Sequence, residues 1–391
     1  MAYDYDVIVI GGGGAGMSAA VTACDAGARV ALIEAGEQLG GSTALSGGVV
    51  YGAPTWVQRA AGITGDTADD MFEYYMTLNQ HKVEPAIVRR LCDGSGPAIE
   101  WLISIGVEFD PGELYASGVE RVARGHKATG NGAAIAEALD REVSRRDIDV
   151  SKGARVRRLH RDADGAVRGV CIGDEIVSAA AVVIATGGFG HNRLLLNRYY
   201  PEAARHGDWT WAISAKTCVG DGLLMGIDAG ADVAGYDRGL LLTTPGFYKD
   251  LEVFVPGWLV YVNREGRRFI DETTEYAVMS GVVKEQLGGT VFALFDEAAR
   301  QTAEPEPRYA AAHKAGIITL NWVTDKIDEQ IGKGRIIRAD TLAELADRAG
   351  IESRTLETTV AGYNADIADG IDRRFHKNPA LMKPVATPPF Y

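Results

Sequence analysis

The apolar positions near the N-terminus form an unbroken run rather than an alternation. Val7, Ile8, Val9 and Ile10 are all β-branched, which predicts a strand covered on both faces, as in a parallel sheet flanked by helices. Glycines follow at once, and after them Ala19, Ala20, Ala23 and Ala26 place small residues along one side of a predicted helix. Arg29 to Ile33 reads as a second strand ending in Glu34. Farther on, Ala154 to Leu159 and Val167 to Ile172 alternate in the manner of half-buried strands around an Asp164-Gly165 turn. Ala133 to Val143 reads as a helix, and Ala180 to Ala185 is again a continuous apolar strand. Strand, helix and strand in this order predict an α/β fold with a parallel sheet.

The glycines between the first strand and helix carry the chemistry. Gly11 to Gly16, with Gly12, Gly13, Gly14 and Ala15 between, fits GxGxxG. Gly11 permits the tight turn, Gly13 removes the side chain that would block a pyrophosphate, and Gly16 allows close helix-strand packing. The helix N-terminus then offers free N–H groups and positive dipole to phosphates. Glu34, about 20 residues farther on, is placed to accept hydrogen bonds from a ribose. Two later small-residue stretches favour FAD over NAD, because an extended flavin dinucleotide needs room beyond its pyrophosphate. They are Gly41-Ser42-Thr43 with Ser46-Gly47-Gly48, and Ala185-Thr186-Gly187-Gly188.

Composition narrows the classes. The 391 residues are 46% hydrophobic and 24% charged, enough for a large core and two domains. A formal charge of -13 repels phosphate backbones and anionic lipid alike, which argues against nucleic acid and membrane partners. No apolar run approaches the roughly 20 residues of a membrane span, and a strand pattern within a few residues of Met1 leaves no space for a signal peptide. The expected location is the cytoplasm. Cys24, Cys92, Cys171 and Cys218 form no CxxC pair, and the seven histidines show no HExxH or HxH spacing, so no metal site is expected.

The segments GGGGAG, GGSTALSGG and IATGGFG resemble the FAD-binding elements of the fumarate reductase and succinate dehydrogenase flavoprotein family, which includes 3-ketosteroid dehydrogenases and urocanate reductase. VGDGLLMGIDAGAD from Val219, VNREGRRFIDE from Val262 and TVAGYN from Thr359 extend the resemblance over most of the chain. It implies a Rossmann-type FAD-binding domain (1–232 and 348–391) interrupted by an α+β capping domain (233–347), with substrate held between cap and flavin. It adds Asp221 to the residues near the cofactor. Gly41 to Ser46 contains no histidine, which implies noncovalent FAD, since relatives with covalent FAD attach it through one there. The family's last glycine-rich strand and helix would follow Pro388-Pro389-Phe390-Tyr391. A longer chain and a second polypeptide completing the site both remain open.

The resemblance also locates the chemistry. Fumarate reductases carry a proton-donating arginine after the RF-x-x-E element. Here Tyr276 holds that place, or Glu275 if the alignment shifts by one. A tyrosine there is similar to 3-ketosteroid dehydrogenases, in which it removes a proton beside a ketone. His126, in the Arg124-Gly125-His126 segment, is placed by the family near flavin and substrate, or is simply a loop residue before the next helix. Arg264, Arg267 and Arg268 either clamp a substrate carboxylate or pair with Glu265, Asp271 and Glu272. Trp209, Trp211, Phe247, Tyr248, Phe254 and Trp258 favour a bulky apolar substrate, unless they are core. The expected activity is FAD-dependent dehydrogenation or reduction of a C–C bond adjacent to a carbonyl, with a 3-ketosteroid-like substrate. The alternatives are a fumarate reductase-like enzyme acting on a small unsaturated carboxylate, and a flavin-binding subunit completed by a partner chain.

Overall fold

A computed structural model describes residues 3–116, 120–247, 255–274, 276–304 and 320–391; the side chains of residues 276 and 277 lie outside the description. The chain divides into two compact units, Met1–Gly239 and Leu240–Tyr391.

In the first unit β1 (Tyr5–Ile10) leads through α1 (Gly14–Asp25) to β2 (Val30–Ile33), followed by α2 (Gly41–Leu45), β3 (Val49–Tyr51), α3 (Trp56–Ala60), α4 (Ala68–Leu78) and α5 (Pro85–Ser104). Next come β4 (Gly125–Lys127), α6 (Asn131–Ser144), β5 (Ile148–Ser151), β6 (Arg158–Arg161), β7 (Val167–Ile172), β8 (Glu175–Ile184), α7 (Arg193–Tyr199), α8 (Pro201–Ala204) and α9 (Asp221–Asp228). Six strands form one sheet in the order β5-β2-β1-β8-β7-β6. The first four run parallel, and β7 and β6 join β8 antiparallel.

The continuous apolar run of β1 is explained by two cores. Val7 and Val9 face Met17, Ala20 and Val21 of α1 and Ile135, Leu139 and Val143 of α6. Ile8 and Ile10 face Ala31, Ile33, Val170 and Met225 of α9 on the other side. A strand with helices on both faces has no solvent side to mark with polar residues. The register sets Val9 beside Leu32 and Val183, and Ile10 beside Ile33 and Ile184, so the C-terminal ends of three neighbouring strands finish together. Ala154 to Leu159 is extended only in part as a ladder: residues 153 and 154 follow the chain beyond β2, through Gly153 N–H to Gly36 O and Ala154 N–H to Glu34 O, both 2.9 Å.

The second unit is built on the antiparallel pair β9 (Val260–Val262) and β10 (Phe292–Leu294). Its helices are α10 (Tyr276–Glu285), α11 (Glu297–Gln301), α12 (Thr324–Gly332), α13 (Leu342–Ala349) and α14 (Ser353–Ala368). β9 and the residue before it alternate between two cores. Leu259 and Tyr261 join Met279, Phe295, Trp322 and Ile327, whereas Val260 and Val262 join Leu345, Ala346, Leu356, Val360 and Tyr363. Residues 348–391 fall within the second unit. The second apolar face of β9 is covered by α13 and α14, and Tyr391 stacks on Phe295 with ring centroids 5.2 Å apart.

Candidate FAD-binding groove

At the C-terminal ends of β1, β2 and β8 the first unit holds an open groove of about 180 Å³. Its floor is Gly11, Gly13, Gly14 and Ala15 where β1 turns into α1. Gly11 has φ +106°, and a Cβ there would lie 2.4 Å from the Ala185 carbonyl oxygen. At Gly16 a Cβ would come 1.7 Å from the Gly11 oxygen, so only glycine lets the helix approach the strand this closely. Gly13 is different in kind. A Cβ there would meet no protein atom nearer than Gly40 O at 4.0 Å, and the space it would enter is the groove itself. Gly13 is also the N-cap of α1 and brings no side chain to cap it. That leaves a helix N-terminus with its positive dipole directed at the groove, which suits a pyrophosphate.

Glu34 lines the same groove and is only 7% exposed. Its Oε2 accepts from the Gly12 N–H and its Oε1 from the Gly36 N–H, both at 2.6 Å. Two backbone donors thus fix the carboxylate, and each oxygen keeps a lone pair for a ribose hydroxyl. On the opposite wall are Gly41, Ser42 and Thr43 of α2; Thr43 Oγ1 accepts from the Gly14 N–H at 3.0 Å and ties the two loops together. Ala185, Thr186 and Gly187 after β8, and Asp221 at the start of α9, complete the expected residues on the lining. Thr186 Oγ1 accepts from the Gly222 N–H at 3.0 Å, anchoring α9 to the end of β8. A dinucleotide with its phosphates at α1 and a ribose at Glu34 fits this donor set.

Gly16, Ser46, Gly47, Gly48 and Gly188, also expected at the cofactor, do not line the groove. Gly48 has φ +71° and lies against the Asn131-Gly132 backbone; a Cβ at Gly132 would sit 2.0 Å from Thr43 O. Gly48 and Gly132 thus serve the packing of α2 on α6, whereas a Cβ at Gly47 or Gly188 would meet no protein atom within 4 Å. Arg155, Thr217 and Cys218 also line the groove, although no sequence motif marks them for it. Arg155 pairs with Asp221, Nη1 to Oδ2, at 2.5 Å.

His126 requires a correction. It is fully buried on β4, paired across to Val50 of β3. Its Nδ1–H donates to Arg124 O and its Nε2 accepts from the Thr55 hydroxyl, both at 2.7 Å, while that hydroxyl accepts from Gln58 N–H at 3.0 Å. Both ring nitrogens are spent inside the protein, so His126 orients no substrate carbonyl in this conformation. Burial pushes its pKa below the ordinary histidine value, against the raising effect of backbone hydrogen bonds.

Tyr276 opens α10, but its side chain, like Glu275, lies outside the described residues. Arg268 is a core ion pair rather than a carboxylate clamp: it bonds Glu272 at 2.8 and 2.9 Å and Asp372 at 2.8 Å, and Lys377 meets Glu272 at 2.8 Å, all four buried. Burial alone would raise the Glu272 carboxyl, yet Arg268 and Lys377 hold it below its usual range. The described aromatic residues are each placed within their own unit. Phe247 and Trp258 pack in the second unit's core, Trp209 of the first unit is 53% exposed, and Tyr248 and Phe254 lie outside the described residues.

Comparison with known proteins agrees with the groove. The family model for the FAD binding domain matches residues 6–391. A fumarate reductase (cytochrome) from Shewanella frigidimarina is 31% identical over 381 residues, covering 95% of this chain and 62% of the relative. A urocanate reductase from Eggerthella lenta is 31% identical over 409 residues, covering 99% and 63%. The chain thus spans about three fifths of the length of these relatives. Among solved structures, the open conformation of a flavocytochrome c3 fumarate reductase superposes with a TM-score of 0.69 at 25% identity, covering 99% of this chain and 65% of that one. A 3-ketosteroid-delta4-(5alpha)-dehydrogenase from Rhodococcus jostii RHA1 gives 0.74 at 24% identity, covering 100% and 83%, a likeness of fold. This chain belongs to the FAD binding domain family, and its cofactor is FAD.

Proposed function

We propose that the chain forms the flavin-binding and catalytic part of an oxidoreductase that moves hydride to or from a C–C bond beside a carbonyl or carboxyl group. FAD supplies the two-electron redox chemistry. The chain's own residues grip the dinucleotide: α1 takes the pyrophosphate, Glu34 the ribose, and Ser42, Thr43 and Gly187 bound the path beyond. The observation carrying this reading is the match, at 31% identity over nearly the whole chain, to reductases whose names specify fumarate and urocanate, both unsaturated carboxylates. Tyr276 is the proposed proton-transfer residue. A hydrogen beside a carbonyl is weakly acidic, and a tyrosine in a desolvated site is a competent acid or base for it.

Tyr276 also favours a second reading within the same class. Where an arginine would donate a proton to a dicarboxylate, a tyrosine suits a ketone, so a 3-ketosteroid-like substrate is retained beside the small unsaturated carboxylates. A cytoplasmic setting is part of the proposal, supported by four cysteines that form no disulfide. Among the described residues no helix is long and apolar enough to cross a membrane.

The test is anaerobic. Protein loaded with FAD and chemically reduced is mixed with fumarate, urocanate, or an unsaturated 3-ketosteroid, and oxidised flavin absorbance is followed; the oxidised protein is offered the saturated partners. Electron exchange with any of them supports the class, and the one that exchanges fastest chooses between the readings. Failure with every activated C–C bond in both directions overturns it.

A further inference from the structure

Among the described residues, the charged side chains lining the groove are Glu34, Asp221 and Arg155. Two carboxylates and one guanidinium are an awkward set for a ligand carrying two phosphate charges, unless the cation has a particular place. Topology gives Arg155 that place. The segment after β5 runs beside Glu34 to Gly36 through the hydrogen bonds of Gly153 and Ala154, which brings Arg155 to the groove from the β5 side. Asp221 begins α9 on the β8 side, where Gly222 N–H is held by Thr186. In the order β5-β2-β1-β8, β2 and β1, whose ends carry Glu34 and the glycine turn, lie between the two. Even so, Nη1 of Arg155 reaches Oδ2 of Asp221 at 2.5 Å. The residue after Arg155, Val156, is buried with Ile8 and Ile10 of β1 and Met225 of α9, which carries the segment over to α9; both charged side chains are partly exposed, at 28% and 17%, and both line the groove.

We propose that Arg155 and Asp221 form an ionic clasp on the wall of the groove that retains FAD. The inference rests on the FAD reading and adds to it a residue dedicated to retention. One guanidinium edge holds Asp221, and the planar group keeps further N–H donors and a flat face with which to meet a phosphate or an adenine ring. Asp221 acts as a positioning residue, holding Arg155 over the groove. Without Arg155, a dianionic ligand would face Glu34 and Asp221 alone.

The experiment follows FAD release from the reconstituted full chain after dilution, by recovery of free flavin fluorescence, at rising sodium chloride. Arg155→Ala and Asp221→Asn should each release FAD about tenfold faster, the scale on which a single charge-assisted hydrogen bond acts, with a weaker salt dependence than the parent. Arg155→Lys should fall between, and the reversed pair Arg155→Asp with Asp221→Arg should recover much of the parent rate. Release at the parental rate in both single variants overturns the clasp, as does a reversed pair no slower than the singles. Thermal unfolding of the FAD-free proteins identifies a merely structural ion pair, which would lower stability and leave release unchanged, a result that also overturns the proposal. A parent chain that binds no FAD would instead refute the cofactor reading itself.

Discussion

The Gly12 N–H donates to Glu34 Oε2 over 2.6 Å, so the glycine turn and the acid at the end of β2 form one hydrogen-bonded unit before any ribose arrives. Each charge-assisted hydrogen bond of this kind is worth about 1.5 to 3 kcal/mol. Glu34→Ala removes the acceptor for the ribose and for Gly12 together. FAD affinity, measured by flavin fluorescence titration, should fall on the order of 10²-fold or more. An unchanged Kd would remove Glu34 from the cofactor site.

Gly13 and Gly16 separate ligand approach from internal packing. A methyl at Gly13 has no protein atom within clash distance, whereas one at Gly16 collides with Gly11 O. Gly13→Ala should therefore fold with a FAD-free stability within about 1 kcal/mol of the parent, yet bind FAD poorly. Gly16→Ala should be strongly destabilised even without cofactor. Urea unfolding of both apo proteins, beside a FAD titration of the first, tests the pair; equal stabilities would contradict the geometry.

Tyr276→Phe keeps ring and helix but removes the proton. Turnover should drop roughly 10²-fold or more if Tyr276 transfers the proton, while bound FAD per chain stays the same. Normal turnover would end that assignment.

His126 should report on stability instead of catalysis. Burial lowers its folded-state pKa below the ordinary value of 6.5, so the unfolded chain binds the extra proton more readily. Its contribution is then fully present above about pH 6.5 and is lost as pH falls through the lower folded value. His126→Gln removes that titration, and its melting temperature should decline less steeply between pH 7 and 5 than that of the parent. Parallel profiles would show that His126 is not protonated on unfolding.

What could be read from the sequence follows how local each cause is. The β1-α1-β2 unit was legible because strand, glycines, helix and acid lie within 30 consecutive residues, Tyr5 to Glu34, and each step depends on near neighbours. Arg155 was not, since its partner Asp221 is 66 residues away and only strand order brings them together. His126 reads as a loop residue until β3 pairs with β4, a pairing that no periodicity announces. The place of the final segment was not legible for the same reason: nothing within 348–391 says that the second apolar face of β9 needs covering. A glycine that admits a ligand and one that admits another helix also look identical in a string of letters.

That ambiguity has a practical side at Gly48 and Gly132. The two glycines let α2 and α6 meet backbone to backbone, with Thr43 contributing its carbonyl to the joint and its hydroxyl to Gly14. Thr43 thereby belongs to both the joint and the cofactor wall, so a shift of α6 at Gly132 reaches the groove through Thr43. Efforts to retune the dinucleotide grip would do well to treat Gly48 and Gly132 as a fixed mounting and to vary the wall it carries. A methyl group added at Gly48 or Gly132 should loosen FAD without ever touching it.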